Sequence, residues 1–557
     1  MSQFQQILDP AAGSLALSAL VAAVPLTSLF VLLGVFKFPA HRAALISLGL
    51  SIVIAIGVWQ MPVVQAASAT AEGAVYGLFP ILWILINAIW VYRLTVITGW
   101  FEVLGEKIRS ISDDQRIQAI LIAFCFGALM ESLAGFGAPV AISAAMLMAA
   151  GMKPIKAAVV SLLANTAPVA FGAMAAPIIT LSSVTGIDLH ELSQMAGRQT
   201  PFIAAVVPLV LVFLVDGIRG VRQTWPIAIL AGVTFGFAQY VTSNFISVEI
   251  TDIVAAVVTV AVVLTALRFW QPETVAFDRD SDGTTDPAPL GDSGSGSGGA
   301  TTTAQKTVPA AKRSALGAVA PYLIIIAVFS LSQLPGIKPW LAAHGSWTFH
   351  WPGLDVVNPE GKPVGAQMFK LDHIKATGTL LLVSGLIVTG LYRISPREAL
   401  RAYRDTLVQL RFTIITVTSV LALAFVMNLS GQTQSLGFAL ASAGGFFALL
   451  SPLIGWIGVA ITGSDTSSNS LFGLLQATAA EQAGLSPTLM AAANSSAGVL
   501  GKMLSPQNLA VAAAAVGMVG KEGDIFRRLI WWSLGMLAVF TVLIYLQSTE
   551  VLGWMVP

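Results

Sequence analysis

The chain has 557 residues, of which 56% are hydrophobic and only 10% charged, against about 25% charged in a typical soluble domain. So few charges cannot cover a water-soluble fold of this length, and a formal net charge of +1 gives no reason to expect nucleic acid as a partner. A single cysteine, Cys125, excludes an intrachain disulfide and a multi-cysteine metal cluster.

Residues 1–10 carry no basic stretch, so the apolar run 13–36 is expected to be a retained span and not a cleaved signal peptide. A helical crossing needs about 20 mostly apolar residues. Crossings are expected near 13–36, 43–62, 73–98, 155–184, 201–216, 224–242, 249–270, 315–334, 376–392, 411–430, 487–518 and 527–548. Two further apolar stretches, 117–150 and 445–482, each hold two helix-length pieces around a polar or glycine-rich tip. The tips are Gly135-Phe136-Gly137-Ala138-Pro139 and Gly463-Ser464-Asp465-Thr466-Ser467. Both stretches read as re-entrant hairpins, and irregular backbone at membrane depth is tolerated only where it is buried in protein or lines a wet cavity.

Basic residues test this layout. With both termini outside, the inner loops receive Lys37, Arg42, Lys107, Arg109, Arg116, Lys153, Lys156, Arg219, Arg222, Arg393, Arg397, Arg401, Arg404, Lys521, Arg527 and Arg528. The outer loops receive Arg198 and the four lysines in or beside 335–375. The layout satisfies the positive-inside rule.

Residues 271–314, rich in Asp, Gly, Ser and Thr, have the composition of a flexible cytoplasmic linker. On either side a pattern repeats. Asn165, Gly172, Met174 and Pro177 follow the first hairpin, and Asn494, Gly501, Met503 and Pro506 follow the second at identical offsets. Five crossings per half with two spans between the halves would invert the second copy, as in many secondary transporters. The expected architecture is an all-α polytopic membrane protein, with about twelve transmembrane helices plus two re-entrant hairpins in two inverted-topology repeats. Its parts are a first repeat at 1–223 with an inner hairpin at 117–150, two connecting helices at 224–270, and the linker. A second repeat at 315–557 carries a compact external loop at 335–375 and an outer hairpin at 445–482.

A helix end inside the membrane offers free N–H groups and a partial positive charge to an anion. Breaks are expected at the two tips and at 165–172 and 494–501. Candidate ligand-binding groups there are Ser132, Gly135, Gly137, Asn165, Thr166, Thr462, Gly463, Ser464, Thr466, Ser467, Ser468, Asn494, Ser495 and Ser496. The bland alternative is that they satisfy freed backbone groups and ease helix packing. Lys502, near the middle of 487–518, costs about 2.5–3.5 kcal/mol on insertion scales; it could bind a substrate carboxylate or lock to an acid. Glu131 could carry a coupled proton or be a fixed partner of Lys502. Asp465 could share proton coupling, coordinate a cation or cap the helix after it. Arg93 is expected at the inner interface and Asp252 at the outer end of its helix. The five histidines, His41, His190, His344, His350 and His373, are expected in connecting segments, which leaves no candidate for a histidine metal site or hydrolase. No phosphate-binding GxxxxGK[ST] loop occurs. A transporter without cofactor or metal, and not an enzyme, is the expectation.

The segments Met130-Glu131-Ser132-Leu133-Ala134-Gly135-Phe136-Gly137-Ala138-Pro139, Thr462-Gly463-Ser464-Asp465-Thr466-Ser467-Ser468-Asn469 and Ala493-Asn494-Ser495-Ser496-Ala497-Gly498 resemble the bacterial lactate permease family, and the likeness spans essentially the whole chain. The resemblance implies proton symport of L-lactate, and often D-lactate and glycolate, across the bacterial cell inner membrane. It also implies kinship with ion-transporter-superfamily carriers that move as elevators, and it is compatible with a homo-oligomer. A sodium-driven carrier for another small organic acid, or an anion channel, are the rival readings.

Overall fold

The computed structural model describes residues 3–134, 137–272, 276, 314–364 and 367–557. The expected linker at 271–314 lies almost entirely outside them, as does Gly135.

Serine and proline set many of the helix starts. Ser14 accepts from the Leu17 amide and opens α1 (Leu15–Gly34); α2 (Ala40–Gly57) follows Pro39. Helix α3 (Val63–Tyr76) runs through a kinked turn at Gly77–Leu82 into α4 (Trp83–Ile97). After α5 (Trp100–Arg109), α6 (Gln115–Gln118) continues by a wider turn, Ala119–Phe126, into α7 (Gly127–Ala134). Then come α8 (Ala138–Ala149), α9 (Pro154–Ala164), α10 (Gly172–Thr185), α11 (Leu189–Phe245), kinked at Asp216 and Gly217, and α12 (Thr251–Ala266).

The second half opens with α13 (Ala315–Ser332), α14 (Ile337–His344) and α15 (Thr377–Leu391). A capping box between Ser395 and Glu398 starts α16 (Pro396–Ser430), which turns at Gly431 into α17 (Gln432–Ala441). Helices α18 (Phe447–Thr462), α19 (Asp465–Gln482), α20 (Pro487–Lys502), α21 (Pro506–Ala515) and α22 (Glu522–Gln547) complete the chain.

Among the described residues, eight helices are long and apolar enough to cross a membrane, or nine if α9 and α10, bent by 63°, form one span. The molecule is a predominantly helical, multi-pass membrane protein. Each expected crossing falls on a helix or a broken helix, but several run longer than expected, because polar turns of helix extend beyond the apolar windows. Helix α3 begins at Val63 instead of 73, so Glu72 lies within it and is buried. Helix α11 spans 57 residues. His41 and His190 are second residues of α2 and α11, and His344 ends α14, so these three are not in connecting segments.

The chain is not wholly α. Strand β1 (Phe4–Gln5) pairs in parallel with β3 (Val356–Val357), and β2 (Trp347–His350) pairs antiparallel with β4 (Met368–Leu371). The 335–375 segment therefore has structure of its own and ties down the N-terminal segment. Gln6 extends the tie by donating to the Asn428 and Leu429 carbonyls at the end of α16.

Helices α2 and α3 lie against α16, and α4 lies against α15. Elsewhere α18, α19 and α20 pack on one another, α10 on α19, and α8 on both α9 and α21. Arg116 is an inner-loop residue in the sequence layout, yet it is fully buried. Its guanidinium pairs with Asp114 at 2.7 Å and with Asp216 at 3.0 Å, and it donates to Gln223 Oε1 at 2.6 Å. This pair of acids joins the start of α6 to the kink in α11.

Candidate functional site

Neither 117–150 nor 445–482 is one continuous helix. Helix α7 stops at Ala134 and α8 starts after Gly137, whose φ of +86° is left-handed. Helix α18 stops at Gly463, φ +73°, before α19. Both tip glycines point at the turn into α21: a Cβ on Gly137 would lie 3.1 Å from Asn508 Oδ1, and one on Gly463 would lie 3.0 Å from Gln507 Oε1. Ser505 and Pro506 build that turn as N-cap and first residue of α21.

The first post-hairpin break lies where expected. Helix α9 ends at Asn165, and irregular backbone runs to Ala175, with Ala173, Met174 and Ala175 at φ of 45°, 55° and 59°. Left-handed backbone costs roughly 1–2 kcal/mol for each such residue. Side chains from other helices brace this stretch: Asn469 Nδ2 donates to Pro177 O at 3.0 Å, and Gln239 Nε2 to Ala167 O at 3.4 Å.

The second break does not lie at 494–501. That stretch is continuous in α20, and the helix ends at Lys502. Gly501 is there for close packing, since a Cβ on it would sit 2.3 Å from Trp456 O of α18. Asn494 likewise does not end the helix. Its Nδ2 donates to Asn469 Oδ1 at 2.8 Å, and its Oδ1 accepts from Gln476 at 3.0 Å. With the repeat offsets kept, the strained Ala173–Ala175 turn aligns with Lys502, Met503 and Leu504, where α20 ends. Lys502 is thus at a helix terminus and not in mid-helix.

These breaks meet around one small cavity. Val169, Gly172, Ala173 and Pro177 form one wall, Gly463, Ser464, Asp465 and Thr466 another, and Glu131 and Lys502 close it. Its volume of about 30 Å³ holds about two waters and is too small for an organic acid. The ion pair fills the space. Lys502 Nζ lies 2.5 Å from Glu131 Oε1, with the two side chains 7% and 4% exposed. Asn165 Nδ2 donates to Glu131 Oε2 at 3.0 Å, and a Cβ on Gly172 would come within 3.0 Å of Oε1. A glycine at 172 therefore makes room for the carboxylate.

Asp465 is the second acid of the cavity. Ser495 Oγ donates to its Oδ2 at 2.5 Å, while Oδ1 is buried with no hydrogen-bond partner. The cap of α19 is Ser464, whose side chain accepts from the Ser467 amide, so Asp465 is left free of that task as the first residue of the helix.

The other candidates divide. The Ser132, Thr166 and Thr462 hydroxyls donate to carbonyls of their own helices, at Leu129, Leu163 and Gly458, which is the bland role. Ser467 contributes its amide to the cap, Ser468 packs beside Asn494, and the Ser496 hydroxyl is buried with no partner. Asn508, Gln507, Asn469 and Gln239 were not among the sequence candidates. The Ser-Pro pair after Lys502 is a helix-start signal that points to the first two. Asp252 does occupy the first turn of α12, but it is fully buried and accepts from Gln239 at 2.9 Å. Arg93 hydrogen-bonds Gln409.

The model of the L-lactate permease family matches residues 18–551. This chain belongs to that family. It is 40% identical to the L-lactate permease of Bacillus subtilis over 100% of both chains. It is 40% identical to the L-lactate permease of Escherichia coli, again over 100% of both. The glycolate permease GlcA of Escherichia coli is 41% identical over 98% of each chain. Two of the motifs that carry the resemblance line the cavity, with Glu131 from the first and Gly463 to Thr466 from the second, and Ser495 of the third holds Asp465.

Proposed function

We propose that the protein is a secondary active transporter, not an enzyme, that imports L-lactate, and also D-lactate and glycolate, by proton symport across a bacterial inner membrane. The single observation that carries this reading is the buried Lys502–Glu131 pair between two helix breaks. The names of the full-length relatives support the substrate class.

The substrate carboxylate takes the place of Glu131 on Lys502, and the displaced Glu131 accepts a proton. An uncompensated charge at membrane depth is costly. Empty, the site pairs the Lys502 ammonium with the Glu131 carboxylate, beside Asp465, which keeps one charge state throughout. Loaded, it holds the ammonium, the substrate anion and a neutral acid. Both states carry the same charge and can cross, whereas proton alone or substrate alone adds a net charge. Tight coupling follows from that balance. The free N–H groups at the starts of α19 and α21 and the broken α9–α10 backbone add hydrogen-bond donors for the anion.

In the membrane, twelve crossings and two re-entrant hairpins, α7–α8 and α18–α19, are arranged as two inverted repeats, with both termini outside and 271–314 cytoplasmic. The cross-pairing of α8 with α21 and of α10 with α19 supports such a symmetry, because each hairpin arm meets the half-helix beyond the break of the other half. The motion proposed is an elevator, with α2, α3, α4, α15 and α16, which pack on one another, as the static part. Labelled lactate uptake into proteoliposomes with imposed gradients tests the function. Accumulation driven by an inward proton gradient is expected; accumulation driven only by sodium, or conductance without accumulation, would refute it.

A further inference from the structure

We infer that Asp465 is the specificity-determining residue that reads the substrate's 2-hydroxyl, so that the site takes 2-hydroxy acids and turns away 2-oxo acids and unsubstituted short carboxylates. This inference rests on the transport reading above. Asp465 shares the cavity with Lys502 and is 3% exposed. Its two oxygens have different fates. Oδ2 is taken by the Ser495 hydroxyl at 2.5 Å, and Oδ1 is buried with nothing donating to it. A buried acceptor left unpaired is costly, so an occupant that donates a hydrogen bond to Oδ1 is favoured over one that cannot.

The local backbone keeps that oxygen an acceptor. Asp465 is the first residue of α19, where the free amides and the helix dipole favour an anionic side chain, and it lines the same cavity as the Lys502 ammonium. Gly498 of α20 makes room for Oδ1: a Cβ there would lie 3.0 Å from it. With its carboxylate on Lys502, a 2-hydroxy acid offers one more donor, the hydroxyl O–H. A 2-oxo acid offers only a lone pair, which would face the lone pairs of Oδ1, and propionate offers nothing.

Counterflow of labelled lactate in proteoliposomes, with unlabelled glycolate, pyruvate and propionate as competitors, tests this on the wild-type protein. Glycolate should compete as lactate does, and pyruvate and propionate about tenfold or more weakly, as expected for one hydrogen bond to a charged group. In Asp465→Asn the side-chain amide can donate, and the ratio of lactate to pyruvate affinity should fall about tenfold. Intact lactate counterflow with propionate or pyruvate competing as well as glycolate would overturn this inference alone. So would an Asp465→Asn protein that weakens all four ligands equally. A wild-type protein with no lactate counterflow would overturn the transport reading along with it.

Discussion

Lys502 and Glu131 are 371 positions apart in the chain and 2.5 Å apart in space. Their pairing was visible in the sequence only as a possibility, because two opposite charges in apolar segments invite one. The Gly172 and Asn165 contacts that orient Glu131 could not be read without coordinates, since a glycine beside a helix break reads first as part of the break. Removing one partner of a buried pair leaves the other uncompensated and costs about 3–5 kcal/mol. Lys502→Ala should therefore lower the melting temperature and abolish lactate binding. Lys502→Ala combined with Glu131→Gln should recover most of the stability but no binding. Thermal denaturation of the purified proteins checks the first effect, and equilibrium binding of labelled lactate the second. Glu131→Gln alone should still exchange lactate in counterflow but should not accumulate it against a gradient.

Helices were more legible than their interruptions. A helix or broken helix lies at each apolar window, and each interruption at 117–150 and 445–482 is marked in the sequence by a polar or glycine-rich tip between helix-length pieces. The second post-hairpin break was placed too early because matched glycines were read as breaks. Gly501 serves instead to let α20 approach α18, as does Gly455, where a Cβ would stand 2.3 Å from Asn494 O. Gly455→Ala should accordingly destabilise by about 1–3 kcal/mol through overpacking. Gly49→Ala in α2, where a Cβ meets nothing within 4 Å, should be neutral or stabilise by roughly 0.5–1 kcal/mol. Melting curves of the two variants side by side distinguish a glycine kept for contact from one that is not.

For the molecule as a whole, composition points to a multi-pass membrane protein and three short motifs to the family, which the match over residues 18–551 establishes. The strands that bind the N-terminal segment to 335–375 escaped the sequence reading, because two-residue pairings have no periodicity to detect. In the cycle proposed above, one exchange takes place at Lys502: the substrate anion arrives and Glu131 takes up a proton. Substrate binding would then consume a proton, so lactate affinity should fall as pH rises. In vesicles, a protonophore should abolish accumulation and leave counterflow intact. The most direct measurement is calorimetric titration of the purified protein with lactate in buffers of different ionisation enthalpy. Uptake of about one proton per lactate bound by the wild type, and none by Glu131→Gln, is the predicted result; binding without proton uptake in the wild type, or equal uptake in the variant, would contradict it.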